Sequence, residues 1–168
     1  MNCLTLFFTV LTIPLHLLKA VGLYGNVYRR VFPLLLFKIS VGYNKKMHEK
    51  KKELFSNLSE FKGSGGEALC ILEIGCGTGA NFKYFPPGCK VICSDPNHKY
   101  LTKSLADNDH LTFERFAIAS GEDLGIIESE SVDAVVCTLV LCSVNDIPRT
   151  LQEAYRVLRP DGAFYFLY

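Results

Sequence analysis

The sequence lacks a clear excess of charge, and it lacks paired cysteines. Its 168 residues include 18 basic and 17 acidic side chains, for a net charge of +1, which argues against a nucleic-acid-binding surface over the whole protein. The seven cysteines include no Cys-x-x-Cys pair, and no histidine stands at zinc-ligand spacing. We therefore expect reduced, mostly buried thiols in a reducing compartment, and no metal site. The hydrophobic content of 49% is enough for one compact domain.

The N-terminus lacks charge over a long run. The 16 residues from Cys3 to Leu18 contain no Lys, Arg, Asp or Glu. As a helix this run would measure ~24 Å, less than the ~30 Å hydrocarbon core of a bilayer. Helix-interrupting residues lie within this run at Pro14 and after it at Gly22, Gly25 and Pro33. We expect residues 1–43 to form a membrane-embedded or hairpin-like anchor. The basic residues come after the run, which predicts that the globular part faces the cytosol.

Two other interpretations of the N-terminus stay open. A cleaved signal peptide would fit the weak processing site Ala20-Val21-Gly22, although no Lys or Arg precedes the apolar run. A buried core helix at the chain terminus would also explain the apolar composition.

Residues 44–67 predict a basic amphipathic helix followed by a Gly/Ser linker. Met47, Leu54, Phe55, Leu58 and Phe61 fall on one helical stripe. The lysines near its start could rest on anionic lipid head groups or form a solvated face, and the sequence favours neither; they are Lys45, Lys46, Lys50, Lys51 and Lys52. The glycines at 63, 65 and 66 then mark a joint before the domain formed by residues 68–168.

In this domain, apolar strands alternate with helices. We predict strands near 68–74, 90–94, 111–117, 132–138 and 162–168, and helices near 79–85, 97–106 and 147–158. Pro86-Pro87 would end the first helix. The third carries one apolar stripe, formed by Ile147, Leu151, Ala154, Tyr155 and Leu158. The alternation predicts an α/β fold, a Rossmann-like parallel sheet with helices on both faces and ligands at the carboxyl ends of its strands.

The first strand runs into the sequence Glu-Ile-Gly-Cys-Gly-Thr-Gly, from Glu73 to Gly79. A strand that turns abruptly into a helix needs glycine, and a missing Cβ lets a ligand lie against the backbone. We expect the following helix to point its free N–H groups at an anionic group of the ligand. The spacing also fits a dinucleotide fingerprint, and a turn that only joins strand to helix remains an alternative.

Asp95 ends the second strand, 20 positions after Gly75. A carboxylate there can accept both hydroxyls of a ribose, so it predicts nucleoside binding without choosing the nucleoside. It could also cap a helix that starts near Asn97.

Three motifs together resemble the class I S-adenosylmethionine-dependent methyltransferases. They are Glu73 with its Gly-x-Gly-x-Gly run, the Gly121-Glu122 loop after the third strand, and Arg159-Pro160-Asp161-Gly162 before the fifth. The run from Cys137 to Val144 and the apolar N-terminus are more specific. They resemble the small membrane-anchored thiol S-methyltransferases of the methyltransferase-like family. This resemblance implies methyl transfer from S-adenosylmethionine to small alkyl thiols at the endoplasmic reticulum membrane or lipid droplets.

The resemblance also implies the site residues. The expected cofactor-binding residues are Glu73, Gly75, Cys76, Gly77, Thr78, Gly79, Asp95, Pro96, Asn97, Gly121, Glu122 and Thr138. Leu139, Cys142 and Ser143 are expected in the substrate pocket, although core packing would equally suit Cys142. No general base is assigned, since His98 and Asp146 are more typical of surface or capping residues.

The chain departs from the family at its end. It stops at Tyr168 within the fifth predicted strand, where members of the family continue with further strands. We therefore expect a C-terminally truncated isoform or fragment with a sheet incomplete after the fifth strand. A noncatalytic membrane or lipid-droplet protein is one alternative function. An NAD(P)-dependent oxidoreductase is another, which Glu73 and the Arg159-Pro160 turn disfavour.

Overall fold

A computed structural model describes residues 42–61, 63, 66–96 and 107–167. The predicted anchor over 1–43 lies almost wholly outside these residues, as do the predicted helix over 97–106 and the two residues Asn97 and His98. The chain divides into two units at the boundary between His48 and Glu49. Of the first unit the structure describes residues 42–48, which are helical at 42–46 and again from His48. No helix among the described residues is long and apolar enough to cross a membrane.

The second unit contains a five-stranded parallel sheet. The strands are β1 (Cys70–Ile74), β2 (Lys90–Ser94), β3 (Thr112–Ala117), β4 (Val132–Thr138) and β5 (Leu158–Leu167). They lie in the order β3-β2-β1-β4-β5, and every neighbouring pair is parallel. All five residues of the central strand β1 are buried, as a continuous apolar strand in a parallel sheet should be. The predicted α/β fold is confirmed, and the carboxyl ends of β1, β2 and β4 meet at one edge.

Strand β5 begins earlier than the sequence predicts. Leu158 already pairs with Val132, and regular pairing resumes at Ala163 opposite Ala134, so residues 159–162 bulge out of the register. An ion pair holds this bulge, because the guanidinium of Arg159 donates to Asp133 Oδ1 while Asp133 Oδ2 accepts from the backbone N–H of Cys70 at 2.8 Å. The Arg159-Pro160 turn therefore stabilises the joint between β1, β4 and β5.

The predicted helix over 79–85 is wrong. In its place the chain forms turns and one short 3₁₀ helix, Phe82–Tyr84. Gly79 has a φ of +69°, outside the right-handed helical region, and Pro86 follows directly after Phe85, which is extended. The buried side chains of Phe82 and Phe85 fix this segment against the core instead. No helix N-terminus is therefore available at the glycine turn.

The long helix of the described chain is α2 (Ile147–Val157), preceded by α1 (His48–Leu54). Asp146 caps α2, since its carboxylate accepts from the N–H of Arg149 at 2.9 Å. Of the apolar stripe of α2, Ala154 is buried, whereas Ile147 is 44%, Leu151 42% and Tyr155 82% exposed. The face that packs inward carries smaller or paired side chains instead, Thr150, Glu153, Ala154 and Val157.

The reason is a close approach between α2 and the loop after β3. A Cβ on Gly121 would lie 2.9 Å from Cγ2 of Thr150, so this contact requires glycine at position 121. The carboxylate of Glu153 is buried because it accepts from the N–H of Leu124 at 3.0 Å and pairs with Arg156 at 2.9 Å. The ion pair of Glu153 and the close contact at Gly121 therefore determine which face of α2 packs inward.

Helix α1 and the residues after it pack on one face of the sheet. Phe55 and Leu58 are buried in the core cluster, with Leu54 and Phe61 packed against it, as the amphipathic stripe predicts. Five of the six described cysteines are buried and all six are free thiols, while Cys142 is exposed. The expectation of mostly buried thiols is confirmed for this part of the chain.

Candidate functional site

The glycine turn connects β1 to the 3₁₀ helix in a conformation that requires glycine. Gly75, Gly77 and Gly79 have φ values of +65°, +50° and +69°. A Cβ on Gly75 would lie 2.3 Å from Cγ2 of Val140. The turn is fixed to β2, because the N–H groups of Gly75 and Cys76 both donate to the carbonyl of Ser94, at 2.6 and 3.2 Å. The backbone of the turn is thereby held open toward the carboxyl edge of the sheet.

Asp95 binds the same turn from the next strand. Its Oδ2 accepts a hydrogen bond from the N–H of Gly77 at 2.9 Å. Its own N–H donates to the carbonyl of Ala117 on β3, at 3.2 Å. The carboxylate predicted to contact a ribose is therefore already oriented by backbone groups of two strands and by the glycine turn.

These groups open onto a cleft of about 400 Å³ at the carboxyl ends of the strands. Its lining residues come from four segments and are Ile74, Gly75, Asp95, Pro96, Ala119, Ser120, Gly121, Glu122, Leu139, Val140, Ser143, Val144 and Asn145. A volume of this size suits a small organic ligand. The position matches the general rule for open parallel sheets, in which the ligand binds where the strand order reverses.

The charge of the cleft is negative. Among the described lining residues, Asp95 and Glu122 carry carboxylates, and no lysine, arginine or histidine is present. A pyrophosphate would meet two like charges there, whereas a cation would be attracted. The cleft therefore favours a nucleoside with a positive group over a dinucleotide.

The carboxylate of Glu122 has a structural partner as well. Its Oε1 accepts from the N–H of Asn145 and from the N–H of Asp146, the latter at 2.9 Å. This contact ties the loop after β3 to the segment between β4 and α2. Gly121 beside it allows close packing, since a Cβ there would also lie 3.0 Å from Cγ2 of Ile74. The two walls of the cleft are held together by this loop.

Glu73 does not line the cleft but lies beneath the glycine turn, 2% exposed. Its Oε1 accepts from the amide of Asn81 at 2.7 Å, and within the described part of the chain its Oε2 has no hydrogen-bond partner. Burial, with a smaller contribution from the nearby charge of Asp95, raises the pKa of Glu73 to about 8. Below this pKa the carboxyl keeps its proton; in its ionised form it offers a buried acceptor without a partner, which a bound cation or amino group can satisfy.

The structure brings seven of the predicted site residues to the cleft: Gly75, Asp95, Pro96, Gly121, Glu122, Leu139 and Ser143. Gly77, Thr78 and Gly79 belong to the turn itself, and Cys76 is buried behind it, 4% exposed. Thr138 Oγ1 accepts from Asn81 instead of facing the cleft. Asn97 lies outside the described residues.

The alternative that Cys142 packs in the core is wrong, and its place in a substrate pocket stays a prediction. Cys142 is exposed and is not among the residues that line the cleft. Its thiol turns back toward the carbonyl of Leu139, at 3.5 Å. Leu139 itself has a φ of +59°, which starts this tight turn and directs Val140 toward the glycine turn.

Two residues of the site region, Lys51 and Asn81, were not predicted from the sequence. Both are 2% exposed and hydrogen-bonded to each other. Asn81 gave no periodic signal, because it lies in an irregular turn. Lys51 did give one: it stands four residues before Phe55 and seven before Leu58, on the apolar stripe of the helix. Its burial shows that this lysine belongs neither to a solvated face nor to a lipid-binding one.

These features fit an adenosyl sulfonium ligand. The backbone approach at Gly75 leaves no room for a side chain, Asp95 and Glu122 make the cleft negative, and Glu73 holds an unpartnered buried acceptor beneath it. The residues that could hold such a ligand are those of the glycine turn together with Asp95 and the loop around Gly121.

Comparison with known proteins agrees with this geometry. A family model described as a methyltransferase domain matches residues 72–166. Human thiol S-methyltransferase TMT1A is 55% identical over 89% of this chain and 62% of its own length, and rat thiol S-methyltransferase TMT1B is 49% identical over 97% and 68%. The chain thus spans 62% to 68% of these curated relatives. An S-adenosylmethionine-dependent methyltransferase of Thermotoga maritima shares the fold, with a TM-score of 0.54 at 20% identity over 83% of this chain and 58% of that one.

Proposed function

This chain belongs to the thiol S-methyltransferases of the class I S-adenosylmethionine-dependent methyltransferase superfamily, and on that premise we propose that it transfers a methyl group from S-adenosylmethionine to small alkyl thiols. The cofactor of this family is S-adenosylmethionine, which excludes the NAD(P)-dependent alternative. The relatives named above are thiol S-methyltransferases, and the thiol specificity of this chain is inferred from them.

One observation carries the proposal: Asp95 is hydrogen-bonded to the N–H of Gly77 at the edge of a negative cleft. The bond joins the carboxylate expected to hold a ribose to the turn expected to hold the amino-acid part of the donor. When bound, S-adenosylmethionine supplies an electrophilic methyl group on a sulfonium, whose positive charge also favours the ionised form of a nearby thiol.

The residues of this chain would then hold and orient the reactants. Asp95 would accept from the ribose hydroxyls, and Gly75 would allow the donor to lie against the backbone. Aligning a thiolate with a sulfonium methyl group in a site of low water content accounts for most of the rate that a protein must supply. No general base is therefore required among the described lining residues.

The acceptor side of the cleft is apolar. Leu139, Val140 and Val144 line it together, and Leu139 is 38% exposed there. Apolar side chains at this place favour a small alkyl thiol over a charged acceptor, because burying a charge without a partner is costly. They also exclude water from the thiolate.

The test measures donor binding and product separately. Purified full chain is titrated with S-adenosylmethionine by calorimetry, then incubated with labelled donor and 2-mercaptoethanol, and the methyl thioether is measured. We expect both binding and product, and we expect Asp95→Asn to weaken donor binding about tenfold or more, as loss of a charged hydrogen-bond partner does. The matched control is Asp161→Asn, at an exposed carboxylate of the β5 bulge.

Each result decides between functions. Binding without product would favour the noncatalytic alternative, a membrane or lipid-droplet protein that retains the cofactor fold. Absence of binding in the wild-type chain would contradict the proposal.

We also propose that residues 1–43 anchor the chain in the endoplasmic reticulum membrane or in lipid droplets, with the methyltransferase domain in the cytosol. The support is the uncharged run from Cys3 to Leu18 and the basic residues that follow it. Fractionation of cells that express the chain, with alkaline carbonate extraction and protease protection, tests this. We expect the chain to stay in the membrane or droplet fraction and the domain to be digested without detergent. Release by carbonate would contradict the anchor.

A further inference from the structure

A buried polar network lies beneath the glycine turn. The ammonium of Lys51 donates to Asn81 Oδ1 at 2.7 Å. The amide nitrogen of Asn81 donates to Glu73 Oε1 at 2.7 Å and to Thr138 Oγ1 at 2.8 Å. The four residues come from α1, from the segment after the glycine turn, and from the carboxyl ends of β1 and β4. One amide therefore joins the helix before the domain to both strands that flank the cleft.

The network is buried well beyond what these residue types favour. Lys51, Glu73 and Asn81 are each 2% exposed. A buried ammonium and a buried carboxylate lose their hydration, and a well-packed apolar replacement is often equally stable or more stable. Stability alone does not explain why a lysine occupies this position of the apolar stripe.

The charges around Glu73 show what the lysine changes. Burial lowers the pKa of Lys51, while the nearby carboxylate of Glu73 opposes this and the charge of Lys83 adds to it. The effects on Glu73 have the opposite sign. Burial raises the pKa of Glu73, the hydrogen bond from Asn81 and the charge of Lys51 lower it, and the charge of Asp95 raises it further. Lys51 is thus the cation that stabilises the ionised form of Glu73, against the charge of Asp95 at the cleft.

We propose that Lys51 is a positioning residue for the methyl donor: through Asn81 it fixes the carboxylate of Glu73 and the glycine turn above it in the arrangement that donor binding requires. This inference rests on the proposed function. It assigns a role at the donor site to the helix that precedes the domain, and it gives the unpartnered Oε2 of Glu73 a fixed position.

Two consequences distinguish this role from a merely structural one. Donor affinity should depend on the charge at position 51, and it should rise as pH rises through the pKa of Glu73, near 8, because the ionised carboxylate attracts a cationic donor. Removing the ammonium should move that dependence to higher pH.

The experiment compares the full-length wild-type chain with Lys51→Met, Lys51→Arg and the matched control Lys52→Met, whose lysine is exposed on the same helix. The dissociation constant of S-adenosylmethionine is measured by calorimetry between about pH 7 and about pH 9. Lys51→Met should weaken binding about tenfold or more at about pH 8 to about pH 9, where Glu73 is ionised in the wild type but retains its proton in the variant. Lys52→Met should stay within about twofold, and Lys51→Arg should recover part of the loss.

The outcomes separate the two proposals. A wild-type chain that does not bind the donor contradicts the proposed function and this role together. A wild-type chain that binds, with Lys51→Met binding equally well and with an unchanged pH dependence, contradicts the role of Lys51 alone. Circular dichroism checks the fold of each variant. If Lys51→Met does not fold, the Lys51→Arg variant and the wild-type pH profile decide, and an affinity that stays constant from about pH 7 to about pH 9 overturns the inference.

Discussion

The replacement Gly75→Ala tests whether close packing between the glycine turn and Val140, in the segment after β4, determines the form of the cleft. The new Cβ would lie 2.3 Å from Cγ2 and 3.3 Å from Cγ1 of Val140, at a backbone φ of +65°. Positive φ costs a residue with a Cβ roughly 1 to 2 kcal/mol, and overpacking adds about 1 to 3 kcal/mol. Val140 cannot easily turn away, because a β-branched side chain has few χ1 rotamers and the N–H of Leu139 before it is bonded to Leu167 O at 2.7 Å.

Gly88→Ala supplies the matched control. Gly88 has a similar φ of +78°, but nothing lies within 4 Å of a Cβ added there. Urea unfolding of both variants should therefore show a loss of about 1 kcal/mol for Gly88→Ala and about 3 kcal/mol for Gly75→Ala. The difference isolates the overlap with Val140.

A double-mutant cycle completes the test. Val140→Ala removes both methyl groups that the new Cβ would meet, so Gly75→Ala should cost about 1 to 2 kcal/mol less in that background than in the wild type. Equal losses for Gly75→Ala and Gly88→Ala, or strict additivity with Val140→Ala, would refute the overlap and the packing argument for the cleft.

Three further predictions follow. Glu73 has a pKa of about 8 in the folded chain, whereas an ordinary glutamate has a pKa of 4.5. Between these values the folded chain keeps a proton that the unfolded chain loses. The free energy of unfolding should therefore fall as pH rises from about 4.5 to about 8, by up to about 1.4 kcal/mol per pH unit. Urea unfolding of Glu73→Gln should lack this slope, and an equal slope would contradict the assignment. Arg159→Leu leaves the carboxylate of Asp133 without its ion pair, and should lower the free energy of unfolding by about 2 kcal/mol. A loss below about 0.5 kcal/mol would argue that this ion pair does not stabilise the β5 bulge. Tyr155 is 82% exposed, so Tyr155→Ala should change the free energy of unfolding by less than about 0.5 kcal/mol. Val157 is fully buried, so Val157→Ala should lower it by about 2 kcal/mol. The opposite order would show that the apolar stripe is the inward face of α2.

The sheet and the glycine turn were predictable because their signals are local. The apolar run through Ile71 and Leu72 ends in an acidic residue and three glycines, and each of those glycines has the positive φ that the pattern requires. Asp95 was predictable for the same reason, as a carboxylate at the carboxyl end of a buried strand.

The orientation of α2 was not predictable from its own residues. The periodicity of Ile147, Leu151 and Tyr155 is real, yet the fold turns this face outward. The deciding contacts come from Gly121 and Leu124, more than twenty residues earlier in the chain. A helix-period pattern states that one face differs from the other, but it does not state which neighbours each face meets.

The burial of Lys51 was not predictable for a different reason. Runs of lysine are normally solvated, and composition alone does not distinguish Lys51 from its neighbours Lys50 and Lys52. Their positions on the helix differ, because Lys51 alone shares a face with Phe55 and Leu58. Its partner Asn81 is thirty residues away in an irregular turn, which no local pattern indicates.

The strand order has a consequence for how the chain is made. Strand β1 lies between β2 and β4, and β4 begins at Val132, almost sixty residues after β1 ends at Ile74. On a ribosome, the central strand must therefore wait with one edge unpaired until β4 has emerged, since parallel pairing over such separations is slow. Until then the apolar segment Cys70–Ile74 has an unpaired strand edge, which makes it prone to aggregation.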